Sequence, residues 1–260
     1  MKTLREILED LAHQRLSVVD AEKLIKTEQL SQLDPMAQLD FHRHVRTGIP
    51  EVIFAESKSV EMVLEVTKKM LDRNGFVLLA RLKPDQFLAL EQLYYQKEDS
   101  VYEPNLSGRI AYIAKKDFSI HSRSGVVGII TAGTSDIPIA EEAKLVLKAM
   151  GIASISAFDV GIAGFHRIFT PLKDMIAKPV DVIIVIAGME GTLPGVVSAL
   201  VDVPVIGVPT SSGYGLGANG IGALTTMLQS CSPGLAIVNI DNGFGAAAMA
   251  ALIVKRIYEK

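Results

Sequence analysis

The stretch VVGIITAGTSDIPIAEEAKLVLKAMGIASISAF, residues 126–158, decides how this chain folds. Residues 126–130 are a short, mostly β-branched apolar run, residues 136–150 have the length and spacing of a helix, and residues 153–158 return to a strand-like run. Strand, helix, strand is the unit that joins two parallel strands, and an apolar run without polar alternation suits a strand buried on both faces. The cycle continues downstream, where strand-like runs at 182–187, 203–208 and 235–240 alternate with helical stretches at 194–200, 217–228 and 243–257. The expected fold is α/β, a three-layer parallel sheet with helices on both faces. In such sheets ligands meet the carboxyl ends of the strands, so the loops that follow the strands are where chemistry is expected.

Upstream the texture changes. Residues 1–120 carry more charge and less glycine, and are expected to form a separate small domain ahead of a larger one at 121–260. Leu4, Ile7, Leu8 and Leu11 share one helical face, and a second helix starts at Ser17 with Asp20 as its capping partner, so two helices should pair. A strand at 51–55, a helix at 59–71 closed near Gly75 and a strand at 75–82 read as a small mixed α/β unit. The polar segment 115–125 reads as the linker.

The 260 residues are 49% hydrophobic, enough for a full core, and the net charge of -3 comes with no basic cluster that would mark a nucleic-acid surface. The apolar runs at 180–189 and 203–208 are broken well short of the ~18 residues of a membrane helix. The opening MKTLREILED lacks the apolar stretch and small-residue cleavage site of a secretory signal. A single cysteine forms neither an intrachain disulfide nor a multi-thiolate metal site, which fits a reducing, cytoplasmic setting. The expected partners are small molecules, with neither nucleic acid nor membrane among them.

Five loops offer chemistry. In the first, Gly133 suits a tight turn and the amides at the next helix start, with the Thr134 and Ser135 hydroxyls, suit a phosphate. Asp136 there suits a ribose hydroxyl or a proton, but Ser135 or Asp136 would equally serve as a plain helix cap. The second loop sets two glycines before His166 and Arg167; Arg167 suits a phosphate or carboxylate, or else both are solvated charges at a helix start. The third, Gly188, Met189, Glu190, Gly191 and Thr192, places a carboxylate between glycines at a strand end, suited to general acid–base work, with helix capping by Thr192 as the duller role. The fourth, with Thr210 and Ser211, is a small polar loop that suits a nucleotide or an ordinary turn. The fifth joins Cys231 to Asn239, Asp241 and Asn242. A lone cysteine is usually a small buried hydrophobe, yet Cys231 sits among Ser, Pro and Gly outside any apolar run, where a ligand can reach it.

Taken together, TAGTSD at 131–136, DVGIAGFHR at 159–167, AGMEGTLPG at 187–195, PTSSGYG at 209–215 and SCSPGLAIVNIDNGFG at 230–245 resemble the LarB family of nickel-pincer cofactor biosynthesis. DFHRHVRTGIPE at 40–51 resembles that family's N-terminal domain. The C-terminal half is also similar to aminoimidazole ribonucleotide carboxylase, which implies a flavodoxin-like sheet and a symmetric homo-oligomer, an octamer in that enzyme. There the sequence departs: Thr192 stands where that enzyme has its catalytic histidine, immediately before Leu193-Pro194-Gly195.

The LarB resemblance implies carboxylation of nicotinic acid adenine dinucleotide at C5 of its pyridinium ring, with carbon dioxide or bicarbonate as co-substrate, and hydrolysis of its phosphoanhydride. The products are pyridinium-3,5-biscarboxylic acid mononucleotide and AMP. In this scheme Cys231 is the covalent catalyst, Glu190 the base, with Asp136 second, and Gly133, Thr134, Ser135, His166, Arg167, Gly188, Met189, Thr210, Ser211, Asn239, Asp241 and Asn242 line the substrate. Mg2+ on the phosphates, with Asp136 or Asp241 each supplying a ligand, would assist the hydrolysis. The rivals are a purine-type carboxylase or mutase, which Thr192 disfavours, and a nucleotide-binding module without catalysis. A dehydrogenase is weaker still, because no G-x-G-x-x-G follows the strand at 126–130.

Overall fold

The computed structural model describes residues 4–30, 43–178 and 180–258. At the amino end α1 (Leu4–Ala12) pairs with α2 (Val18–Leu30), burying Ile7 and Ala21. Ser17 caps α2: its hydroxyl accepts from the Asp20 N–H at 3.0 Å and donates to the Asp20 carboxylate at 2.6 Å. The expected contribution of Leu4, and of Asp40, Phe41 and His42 in the second motif, falls on side chains outside the described ones. Next come α3 (Arg43–Thr47), β1 (Val52–Phe54), α4 (Val60–Asn74), β2 (Phe76–Ala80), α5 (Pro84–Tyr94), β3 (Ser100–Asn105) and β4 (Ile110–Lys115). Ser59 caps α4 and Gly75 ends it in the left-handed conformation, φ 77°. The strands form a mixed sheet ordered β1-β2-β4-β3, in which β1 and β2 alone are parallel.

The second half alternates strands with helices: β5 (Val126–Thr131), α6 (Ile137–Ala149), β6 (Ala153–Ala157), α7 (Phe169–Ala177), β7 (Val182–Ala187), α8 (Leu193–Ser198), β8 (Val205–Pro209), α9 (Ile221–Leu228), β9 (Leu235–Ile237) and α10 (Gly243–Tyr258). All five strands are parallel in the order β6-β5-β7-β8-β9, the doubly wound flavodoxin-like arrangement. The helix expected over 217–228 starts later, at Ile221, because Asn219 and Gly220 take left-handed φ of 59° and 81° and break the helical path. The strand expected over 235–240 stops at Ile237, where the chain turns into the Asn239 to Asn242 segment.

Strand alternation assigns each side chain to a layer. Val182, Ile184 and Ile186 join Ala140, Ala143, Val146 and Leu147 of α6 and Ala246, Ala247, Ala250, Ala251 and Val254 of α10. Ile183 and Val185 face the other way, onto α7, α8 and α9 through Leu172, Leu193, Val197 and Met227. In the small sheet Val52, Leu78, Ala80, Ile110 and Tyr112 join the same α6–α10 cluster, while Ile53, Val77, Leu79 and Ile113 bury α4 and α5. The order is helices, small sheet, α6 with α10, large sheet, helices. The alanines of α10 bring it close to α6 and the large sheet, and α6 reaches both sheets.

One carboxyl group is sunk in that middle layer. Glu142 of α6 is 4% exposed and accepts from the Phe244 N–H at 3.2 Å, satisfying an end group of α10. Burial raises its pKa from near 4.5 to about 7, against the opposing hydrogen bonds of Phe244 and Gly243 and the charge of Arg81, with Asp241 adding to the rise. A carboxyl whose folded pKa is raised stabilises fully below about 4.5 and loses that contribution as pH rises through about 7. The difference corresponds to on the order of 3 kcal/mol. Glu142→Gln mimics the neutral acid, so its melting temperature relative to wild type should climb from pH 4.5 to pH 8; an offset independent of pH would refute this assignment.

Candidate active site

The carboxyl ends of β5 to β9 carry the loops that sequence singled out, except the Cys231 segment, which precedes β9. Asp136, 3% exposed, turns back under its own loop. Its Oδ2 accepts from the Gly133 N–H at 2.9 Å, while Oδ1 accepts from the Thr210 hydroxyl at 2.6 Å and the Ser212 hydroxyl at 3.1 Å. Asp136 does not cap α6; it ties the β5 loop to the β8 loop. A buried carboxylate is tolerable only when hydrogen-bonded, and three donors meet that demand. Thr210 and Ser212 also bond each other at 2.8 Å.

Gly188, at the end of β7, passes beneath this tie. A Cβ there would stand 2.3 Å from Ser212 Oγ and 2.7 Å from Thr210 Oγ1, so only hydrogen fits. Gly133 is different: its backbone is extended (φ -127°), and a Cβ would meet nothing nearer than Asp136 Oδ2 at 3.7 Å. Glycine is therefore not demanded there by the turn expected from sequence. Thr134 and Ser135 are exposed on the same loop.

Next to this tie, Asp241 accepts from the Ser211 N–H at 2.9 Å and from its hydroxyl at 2.6 Å, joining the β8 and β9 loops. Asn242 caps α10 through the Gly245 N–H, and Asn239 accepts from the Ile240 N–H. On the β6 side, Arg167 pairs with Asp159 at 3.0 Å, both half in solvent, and Gly164 leaves room for the guanidinium, whose Nε would lie 2.3 Å from a Cβ. His166 is exposed beside it. Glu190 is exposed at the tip of the β7 loop, between Met189 and Gly191, which both have left-handed φ. Gly191 packs onto the Ala223 backbone, where a Cβ would come within 2.6 Å.

Cys231 is exposed but lies apart from this ring. Its loop follows α9 and is anchored by Ser198 Oγ donating to Pro233 O at 2.8 Å and the Val205 N–H donating to Gly234 O at 3.0 Å. Val205 begins β8 and Thr210 follows its end, so five strand residues, roughly 15 Å, separate that anchor from the Asp136 tie. One chain thus gathers Asp136, Gly133, Gly188, Thr210, Ser211 and Asp241, with Glu190 at the rim, and sets Cys231 outside that ring, between two serines whose hydroxyls lie 2.8 and 4.0 Å from where a Cβ on Gly195 of α8 would stand. Thr192 is half-buried and makes no capping bond through its side chain. Asp136 and Asp241 each serve separate hydroxyls, and no group of three His, Cys, Asp or Glu suited to a metal exists among the described residues.

The sequence profile of the AIR carboxylase family matches residues 126–260, and that of the LarB/PurE-like N-terminal domain matches residues 30–115. The chain belongs to the LarB family. A full-length relative from Methanocaldococcus jannaschii, "Uncharacterized protein MJ0165", is 43% identical over 258 residues, 99% of both chains. The second half of this LarB protein is similar to N5-carboxyaminoimidazole ribonucleotide mutases. It is 34% identical to the one from Pyrococcus horikoshii over 52% of this chain and 76% of that one, and 36% identical to one from Methanocaldococcus jannaschii over 50% and 78%. Its C-terminal domain is thus that of a carboxylase and mutase enzyme family. No helix among the described residues is long and apolar enough to cross a membrane.

Sequence reasoning passed over Ser212, although its loop was marked, because two adjacent serines give no sign of which turns inward. The structure separates two glycines that look alike in sequence. Gly188→Ala should break the Asp136 tie and lower the melting temperature by several degrees, a loss of ~1–3 kcal/mol, whereas Gly133→Ala should melt within about a degree of wild type. Equal melting temperatures for the two variants would contradict this account of the site.

Proposed function

We propose that this LarB protein carboxylates C5 of the pyridinium ring of nicotinic acid adenine dinucleotide and hydrolyses the phosphoanhydride, yielding pyridinium-3,5-biscarboxylic acid mononucleotide and AMP. The observation that carries this reading is the pairing of an exposed lone thiol, Cys231, with a threonine, Thr192, at the position of the purine enzymes' histidine. An aromatic pyridinium carbon is too electron-poor to attack carbon dioxide. Addition of the Cys231 thiolate at C4 gives a neutral dihydropyridine whose N1–C6=C5 unit is an enamine. C5 attacks carbon dioxide, leaving an iminium that still carries the C5 proton. A base, Glu190 with Asp136 second, takes that proton; the enamine re-forms and expels the thiolate, restoring the aromatic ring. Water then divides the phosphoanhydride, with Thr134, Ser135 and the loop amides beside them suited to its phosphates.

The position of the thiol outside the Asp136 ring bears on assembly. The reaction needs sulfur and base at one ring, so this reading has Cys231 of one copy entering the Glu190 side of another in a closed homo-oligomer. Leu216, Ile221 and Leu228, all strongly exposed on the α9 side near both loops, are apolar surface suited to such a contact.

Incubation with the dinucleotide, labelled bicarbonate and Mg2+ should give the two products by mass, and Cys231→Ser should abolish label incorporation without changing the melting temperature. Label entering aminoimidazole ribonucleotide instead would favour the purine-type alternative. Chelator added to the same assay should suppress AMP release if Mg2+ enters with the phosphates. For assembly, Glu190→Gln and Cys231→Ser, both at exposed residues, should each be inactive alone and regain activity when co-assembled. No recovery in mixed oligomers would rule out a shared site.

A further inference from the structure

The small sheet has one parallel pair, and its carboxyl ends, Phe54 and Ala80, stand side by side. The chain leaves them through Glu56 and Ser57 and through Arg81, and these residues face Asn239, Ile240 and Asn242, beyond the carboxyl end of β9, across a cleft of about 390 Å³. Two separate sheets thus aim strand carboxyl ends, the ligand-binding edge of open α/β sheets, at one space. Its size is that of a small-molecule site.

The cleft's side chains have a defined character. Arg81 is held with φ 57°, a backbone that side chains rarely adopt, and its carbonyl accepts from Arg109 Nη2 at 3.3 Å. Its guanidinium lies 5.7 Å over the Phe54 ring, and that ring is in turn braced edge-on by Phe244 at 5.7 Å. Arg81 and Arg109 share the single carboxylate of Glu56, at 3.8 and 3.3 Å, and Arg81 is the cation that lines the cleft. Asn239 commits its side-chain oxygen to the Ile240 N–H and is left with two donors for a ligand. The cleft also adjoins the ring described above. Asp241, between Asn239 and Asn242, holds Ser211, and the next residue, Ser212, reaches Asp136.

An exposed aromatic ring, a guanidinium and amide donors are what a nucleoside monophosphate needs: an apolar surface for the base, a cation for the phosphate and donors for ring nitrogens or ribose. We infer that this cleft between the two sheets is the subsite for the adenylate half of the dinucleotide, with phosphate on Arg81 and the base against Phe54, the pyridinium half lying on the Asp136 side. This rests on the substrate reading above, and gives the small domain a binding role.

The test is calorimetric titration of the full chain with AMP alone, without bicarbonate. AMP should bind wild type, and Arg81→Gly, which removes the guanidinium while accepting the left-handed backbone freely, should weaken it by about tenfold or more. Phe54→Leu should weaken it too. Nicotinic acid mononucleotide, the other half, should neither displace AMP nor lose affinity in Arg81→Gly. The inference is overturned if wild type fails to bind AMP at millimolar concentration, if both variants bind it as wild type does, or if the mononucleotide displaces it. Failure of wild type to make carboxylated product sinks the proposed reaction and leaves the AMP titration to be judged by itself.

Discussion

The middle helix layer is the constraint from which the rest follows. Four alanines of α10, set in pairs one turn apart, bring that helix close against α6 and the large sheet, while α6 beside it packs on both sheets. Had the small sheet possessed its own closed core, it would be a tethered module. Instead one of its faces is completed only by α6 and α10, and its strand ends are fixed relative to the large sheet. Glu142 lies in this layer, and the cost of sinking its carboxylate is offset by bonds to the first turn of α10, the helix that follows the Asp241 loop.

That rigidity reaches the ring of strand-end loops. Asp136 binds neighbours from β8 across β7, and Gly188 is the residue that lets the two hydroxyls pass. Asp241 repeats the device one strand further along with Ser211. Two aspartates that looked like metal ligands or proton carriers are thus first of all clasps between loops, and what a ligand meets is the surface they hold in place.

Much of the fold was legible because its signals are local. The strand at 182–187 and the start of α10 at Gly243 emerged as read, since apolar runs and glycine turns act over a few residues. The misjudged boundaries, the start of α9 and the end of β9, lie where Asn219 and Gly220 adopt left-handed backbone and where a turn begins, and neither choice is marked by periodicity. The β3–β4 hairpin and α5 passed unread, their alternation being interrupted by Pro104 and by charges.

The sequence by itself determined the layered α/β class, the strands of the large sheet and the membership in the LarB family, because hydrophobic period, turn residues and motif order are properties of neighbours along the chain. Only the tertiary structure decided which marked residues meet. It brought Asp136 to Ser212 across 76 positions of chain, set Arg81 facing Asn239, and placed Cys231 outside the Asp136 tie, beside Gly195 of α8. The reason is physical: in a parallel sheet every strand-to-helix loop lies at one edge and every helix-to-strand loop at the other, so partnership depends on edge and strand order, which no local pattern encodes.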